Sequence, residues 1–149
     1  MKLIRIKING YKHLQDIEFD AENTNRRNLP VYFLAGLNGT GKSAFLEAVA
    51  LIFSRISQNE LPGFAFEVSY KLFLDGENVS VTVCPEENQK LGRLHIKVGK
   101  EVFHSFENHE KYLPYKIFVC ISGQNSQMRQ LVLDAAKDSI FIKKRPLQH

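Results

Sequence analysis

The feature that most constrains this chain is the run from Gly36 to Ser43, which reads GLNGTGKS and matches the pattern G-x-x-x-x-G-K-[ST]. An apolar run, Val31–Ala35, precedes it and predicts a short buried strand. The residues that follow, Ala44–Phe53, are apolar at helical spacing and predict a helix. A strand, a glycine-rich loop and a helix in this order form the context in which the pattern binds phosphate groups.

The residue types in this loop suit a nucleoside triphosphate, with ATP and Mg²⁺ as the predicted ligands. Glycines let the backbone turn tightly and approach a ligand, and successive N–H groups can surround an anion at a helix N-terminus. The Lys42 side chain would reach the β- and γ-phosphates, and the Ser43 hydroxyl would bind Mg²⁺. The predicted nucleotide-binding residues of the loop are Gly36, Asn38, Gly39, Thr40, Gly41, Lys42, Ser43 and Ala44. The alternative, a glycine-rich turn before a lysine, does not explain why both flanks have the required pattern.

Composition sets the broad class of the protein. The chain has 149 residues and a net charge of +4, which fits a single domain over residues 1–149 and an anionic partner such as DNA. A solvated basic face explains the charge equally well. Cys84 and Cys120 are far apart in the sequence, which favours free thiols in a reducing compartment. Without an apolar run of membrane-spanning length, the expectation is a cytoplasmic protein with no membrane partner.

Hydrophobic periodicity predicts strands on both sides of the loop. Residues 2–8 and 15–19 read as an antiparallel pair, and residues 41–56 read as a helix. The apolar face of this helix would comprise Phe45, Val49 and Ile52, with Leu46 and Phe53 beside it. Four further strands follow at residues 64–74, 79–83, 94–98 and 102–103, with turns at 75–78 and 99–100. A last strand at 116–121 and a helix at 127–137 are also predicted.

These elements predict an α/β fold with α+β character. It would be a P-loop NTPase lobe, in which a mixed sheet surrounds the P-loop helix and an antiparallel β meander follows.

Acidic residues that could support hydrolysis are not evident. P-loop ATPases place an Asp at the end of an apolar strand to hold Mg²⁺, and Leu72–Asp75 is the superficial match here. Gly76 follows Asp75, so a hairpin turn is the better interpretation. Gln124 follows the predicted strand 116–121, where its amide oxygen could reach Mg²⁺ or a bound water. An ordinary loop role for Gln124 is equally open, and Gln127 is the alternative if the register differs.

Six segments carry a family resemblance: Met1–Leu14, Ile17–Phe19, Ala35–Ser43, Leu46–Ala48, Leu113–Ile117 and Ser122–Asn125. Together they resemble the SMC/RecF-type branch of the ABC-class ATPases, which are also described as AAA-family or RecF-like. The last two segments carry a narrower resemblance, to restriction-system-associated AAA-family ATPases of bacteria.

The resemblance implies a nucleotide held between two ATPase heads, which in a full-length protein would form a homodimer. Lys12 and His13 occupy positions where this family has basic or polar residues near the nucleotide, and Gln124 matches the Q-loop glutamine, a metal ligand with Ser43. The signature segment, the acidic Walker B strand and a switch histidine would lie beyond His149. The chain is therefore expected to be the N-terminal lobe of an ATPase linked to DNA repair, restriction or defence, with little or no hydrolysis alone.

Two other functions remain open from the sequence. The chain could be a small complete P-loop kinase, although the predicted antiparallel meander and the lack of an arginine-rich lid argue against it. It could also be a non-catalytic interaction module of a defence complex, although the intact Lys42–Ser43 pair argues against a vestigial loop.

Overall fold

A computed structural model describes residues 1–21, 34–35, 37–86 and 92–115 of the chain. They belong to one compact unit, Met1–Lys116. Gly36, most of the predicted strand before it, Cys120, Gln124 and Gln127 lie outside the described residues, as do the strand and helix predicted after residue 115. The predictions made for those positions remain predictions.

The described residues form six strands, one α-helix and a single 3-10 turn. Every strand pairing among them is antiparallel, in the spatial order β2-β1-β3-β4-β5-β6. The predicted meander is confirmed, whereas the strand that would make the sheet mixed falls largely outside the described ranges. The elements are β1 (Lys2–Asn9), β2 (Ile17–Asp20), α1 (Lys42–Ser57), β3 (Ala65–Leu74), β4 (Glu77–Pro85), β5 (Leu94–Val98), β6 (Glu101–Phe103) and the 3-10 turn Glu110–Tyr112.

The β3–β4 hairpin shows how local residue chemistry sets the sheet register. Asp75 and Gly76 both have positive φ angles, 51° and 87°, and Leu74 pairs directly with Glu77. A two-residue turn with two positive φ angles matches the right-handed twist of the strands, and Asp-Gly suits it well. The prediction of a four-residue turn was too long, because Glu77 and Asn78 already belong to β4.

Strand β1 joins the N-terminal strand pair to the meander. It pairs with β2 on one side and with β3 on the other, from Lys2 opposite Lys71 to Asn9 opposite Ala65. The register shifts between Leu3 and Arg5, so the β1–β3 pairing is irregular at this end of the strand. From Ile4 onward, alternate side chains of β1 are buried.

Helix α1 packs its apolar residues into the core formed with the strands. The residues buried on the helix are Ala44, Glu47, Ala48, Ile52, Phe53 and Ile56. Phe53 contacts Tyr70 of β3, with ring centroids 5.7 Å apart. The predicted apolar face is therefore only partly correct: Phe45 and Val49 are half-buried against the core, and Leu46 is 51% exposed. Ala44 and Ala48 occupy the centre of the buried face of the helix. The larger predicted residues Phe45 and Val49 therefore lie at the edge of that face.

Candidate nucleotide-binding site

The glycine-rich loop leads directly into α1. Gly41 is the N-cap of the helix, and both Gly39 and Gly41 have left-handed backbone angles, with φ of 86° and 91°. The Phe45 N–H donates to the Gly41 carbonyl at 2.8 Å, which begins the helical hydrogen bonding. Among the described residues, no side chain caps this end, and the first turn of the helix contains no acidic residue. The N–H groups preceding Phe45 and the positive end of the helix dipole therefore suit an anion.

Lys42 folds back over the loop. Its Nζ donates a hydrogen bond to the Leu37 carbonyl oxygen at 2.6 Å and lies 3.4 Å from Thr40 Oγ1. The Thr40 hydroxyl also donates to the Leu37 carbonyl oxygen, at 2.8 Å. These contacts hold a positive charge at the loop itself. The next residue, Ser43, is exposed in the first turn of α1.

The turn between β1 and β2 lies against this loop. It spans Tyr11–Leu14, and the Leu14 N–H donates to the Tyr11 carbonyl at 2.8 Å. A Cβ atom at Gly41 would lie 2.9 Å from Leu14 Cδ2 and 3.0 Å from His13 Nε2. A Cβ there would force the Leu14 side chain to move and would crowd His13, so both the close approach and the φ angle favour glycine at position 41. The structure thus places the His13 ring beside Gly41 of the loop, and a contact of His13 with a nucleotide remains a prediction.

Lys12 is directed to the helix that follows the loop. Its Nζ donates to Glu47 Oε2 of α1, and the Glu47 side chain is only 4% exposed, compared with 36% for Lys12. This hydrogen bond raises the pKa of Lys12 above its usual value. The Lys12 Nζ also lies 5.5 Å from the centroid of the Tyr11 ring, whose pKa is raised mainly by burial.

Glu47 is the site residue that sequence reasoning missed. A glutamate inside an amphipathic helix is normally assigned to the solvent face, because burying an unpaired carboxylate is costly. The available signal was spacing, since Glu47 follows Ser43 by one helical turn and lies on a helix that must approach the basic N-terminal turn.

The other acidic candidate lies in a turn. Asp75 occupies the tip of the β3–β4 hairpin, which confirms its interpretation as a turn residue. Across the residues that the structure describes, no group of three or more His, Cys, Asp or Glu side chains could hold a metal ion. Mg²⁺ commonly uses one or two protein ligands together with substrate phosphates, so Ser43 still fits a metal bound with a triphosphate.

The loop has open space beside its backbone at Gly39. A Cβ atom added at Gly39 would meet no atom within 4 Å, and Leu37, Asn38, Gly39 and Thr40 are all exposed. Exposed backbone, the Lys42 charge and the first turn of α1 form a donor set that fits a triphosphate.

Comparison with known proteins identifies the family. A family model described as AAA ATPase domain matches residues 1–144. The chain belongs to the AAA ATPase domain family. No curated protein matches it. The domain is a P-loop NTPase, so the glycine-rich loop belongs to a family in which nucleotides, usually with Mg²⁺, are bound.

This AAA ATPase domain places its candidate residues on two separate parts of the sequence. Asn38 to Ala44 come from the loop and the start of α1, and Lys12 and His13 come from the β1–β2 turn. Among the described residues of the domain, no helix is long and apolar enough to cross a membrane.

Proposed function

We propose that this chain binds Mg·ATP through the loop from Gly36 to Ala44, as the N-terminal lobe of a RecF/SMC-like ATPase head. The observation that carries the proposal is the Lys42 ammonium held over a loop with two left-handed glycines at the uncapped start of α1. Membership of the AAA ATPase domain family supports a nucleotide as the ligand. The resemblance in the N-terminal segments supports the RecF/SMC-like part of the proposal.

The residues divide the work of holding a triphosphate. Backbone N–H groups of the loop and the first helical turn bind phosphate oxygens, and Lys42 neutralises their charge. Ser43 contributes its hydroxyl to Mg²⁺, which when bound offsets negative charge on the β- and γ-phosphates. His13, next to Gly41, faces the same loop from the N-terminal turn. Gln124 remains a proposed second metal ligand by resemblance alone.

Hydrolysis is proposed to need elements that the described residues do not supply. A signature segment, an acidic strand and a second head, joined as a homodimer in the full-length protein, would complete the site. The turn position of Asp75 supports this proposal, because it removes the superficial candidate for the acidic strand. The described residues after α1 form antiparallel hairpins and no further βα unit, which gives no support to a kinase.

Calorimetric titration of the purified chain with Mg·ATP tests the binding proposal. Lys42→Ala is expected to abolish the binding heat, because it removes the charge held over the loop. Lys97→Ala is the matched control: it deletes an exposed lysine of β5 and is expected to leave the affinity unchanged. Equal affinities for the Lys42→Ala variant and the wild type would place the nucleotide elsewhere.

The same preparation tests the incomplete-head proposal. Little or no phosphate release from ATP is expected, and robust turnover by the isolated chain would overturn it. A role in DNA repair, restriction or defence predicts, from the net charge of +4, weak DNA binding that falls steeply with salt. Tight, salt-insensitive and sequence-specific binding would contradict that charge argument.

A further inference from the structure

A buried acidic side chain on α1, the helix that follows the glycine-rich loop (here called the phosphate loop), calls for a physical explanation. Glu47 is 3% exposed and lies among the apolar residues by which α1 joins the core. Burial of an ionised carboxylate is unfavourable unless a charged or hydrogen-bonding partner compensates, and an apolar residue would often be as stable at such a position. Stability of the core alone therefore does not explain a glutamate here.

The partner of Glu47 comes from a distant and sterically constrained turn. Lys12, whose Nζ donates to the Glu47 carboxylate, has a φ of 52° in the left-handed region that disfavours residues other than glycine. The next residue, His13, lies beside Gly41, and Leu14 is buried at 3% exposure. One ion pair thus links the phosphate-loop helix to the turn that places His13 at the loop.

We infer that Glu47 is a positioning residue, which acts through Lys12 to hold the Tyr11–Leu14 turn on α1 and so keeps the His13 imidazole at the phosphate loop. Lys12 then serves as the link between turn and helix, and His13 is the residue of the turn that contacts the nucleotide. The nucleotide part of this inference rests on the proposed function, whereas the link between turn and helix does not.

The Glu47→Gln variant tests the inference, because it removes the charge with little change in side-chain shape. In the nucleotide-free protein, amide hydrogen exchange of Gly10 and Leu14, which donate within the turn, is expected to accelerate. The Mg·ATP dissociation constant is expected to rise by about 3- to 10-fold, the scale of a lost coupling between neighbouring groups.

The matched control is Glu60→Gln, which breaks the exposed Arg55–Glu60 ion pair at the other end of α1. It is expected to change neither the exchange of the turn nor the affinity, because exposed pairs contribute little. Circular dichroism verifies that each variant is folded. If Glu47→Gln does not fold, Lys12→Met breaks the same link at a side chain that is 36% exposed.

A double-mutant cycle separates positioning from general destabilisation. His13→Ala should weaken Mg·ATP binding in the wild-type background and have little further effect in the Glu47→Gln background, because Glu47 acts through the position of His13. Additive losses of affinity, or unchanged exchange of the turn in Glu47→Gln, would overturn the inference.

The two proposals fail in different ways. If the wild-type chain binds no Mg·ATP, the proposed function fails, and the exchange measurement on the nucleotide-free protein still decides whether Glu47 holds the turn. If Mg·ATP binds normally to Glu47→Gln, the proposed function stands and the positioning role of Glu47 is wrong.

Discussion

The two ends of helix α1 are organised by different physical interactions. From Ile52 to Ile56, buried apolar side chains pack against the strands, with Ile52 and Ile56 fully buried. At the other end, the loop before Ser43 has left-handed glycines and side-chain hydrogen bonds, and the Lys12–Glu47 ion pair lies one turn into the helix. One helix therefore anchors the sheet at one end and presents exposed donors at the other.

The difference implies that stability and ligand binding depend on largely separate residues. The free energy gained by burying apolar side chains is proportional to the buried area and does not depend on precise orientation. Substitutions in the core should therefore alter mainly the free energy of unfolding. The loop is exposed, and its hydrogen-bond donors must be oriented towards a ligand. Changes of backbone angle or charge there should therefore alter mainly the nucleotide affinity. Substitutions at different positions along α1 and at its N-cap test whether stability and nucleotide affinity are separable in this way.

The largest expected effect on stability is that of Ile52→Ala. Ile52 is fully buried in the middle of the core, so its truncation should lower the free energy of unfolding by about 3–4 kcal/mol. Denaturant titration measures this loss. Mg·ATP affinity, measured where the variant is still folded, should remain within about twofold of the wild type, since Ile52 is remote from the loop residues in the helix. A parallel collapse of affinity would show that the two ends are not separable.

An intermediate effect is expected from Gly41→Ala, with Gly39→Ala as its control. Both positions have positive φ angles, but only the Cβ at Gly41 would clash, with Leu14 and His13. Gly41→Ala should cost about 2 kcal/mol of stability, whereas Gly39→Ala should cost about 1 kcal/mol through backbone strain alone. Both variants should bind Mg·ATP more weakly, because both glycines belong to the proposed binding loop. Thermal melts and calorimetry compare the two variants. Equal losses of stability would mean that the approach of the N-terminal turn to Gly41 is unimportant.

The smallest expected effect is that of Leu46→Gln. Leu46 lies between the two ends of the comparison and is 51% exposed, so replacing it should change the free energy of unfolding by less than about 0.5 kcal/mol. Chemical denaturation measures this change. A loss comparable to that of Ile52→Ala would mean that this side of the helix is covered in solution.

Features set by neighbouring residues were predictable from the sequence. Asp75-Gly76 specified the tight β3–β4 hairpin, and Gly99-Lys100 specified the turn between β5 and β6. The strand, loop and helix pattern around Lys42 located the start of α1 to within about a residue, because glycine-rich punctuation is a local signal. The predicted antiparallel pairing of β1 with β2 is confirmed. It was also predictable from local residues, because the two strands are close in the sequence.

Features set by distant contacts were not predictable. The pairing of β1 with β3 joins segments far apart in the sequence, and no local pattern specifies it. Leu46 was assigned beside the buried face because hydrophobicity alone does not define which side of a helix meets a sheet. Glu47 was overlooked because its burial depends on Lys12, 35 residues earlier.

The strand order also has a consequence for how the chain folds. β3 meets β4 across two residues, and β5 meets β6 across Gly99 and Lys100, so these hairpins close short loops. β1 and β3 are separated in the sequence by a long segment that includes α1, so pairing them closes a much longer loop than either hairpin does. Closing the longer loop costs more chain entropy. Loop-closure entropy thus favours assembly of the meander before β1 docks on β3, so we expect β1 and β2 to complete the sheet after the meander has formed.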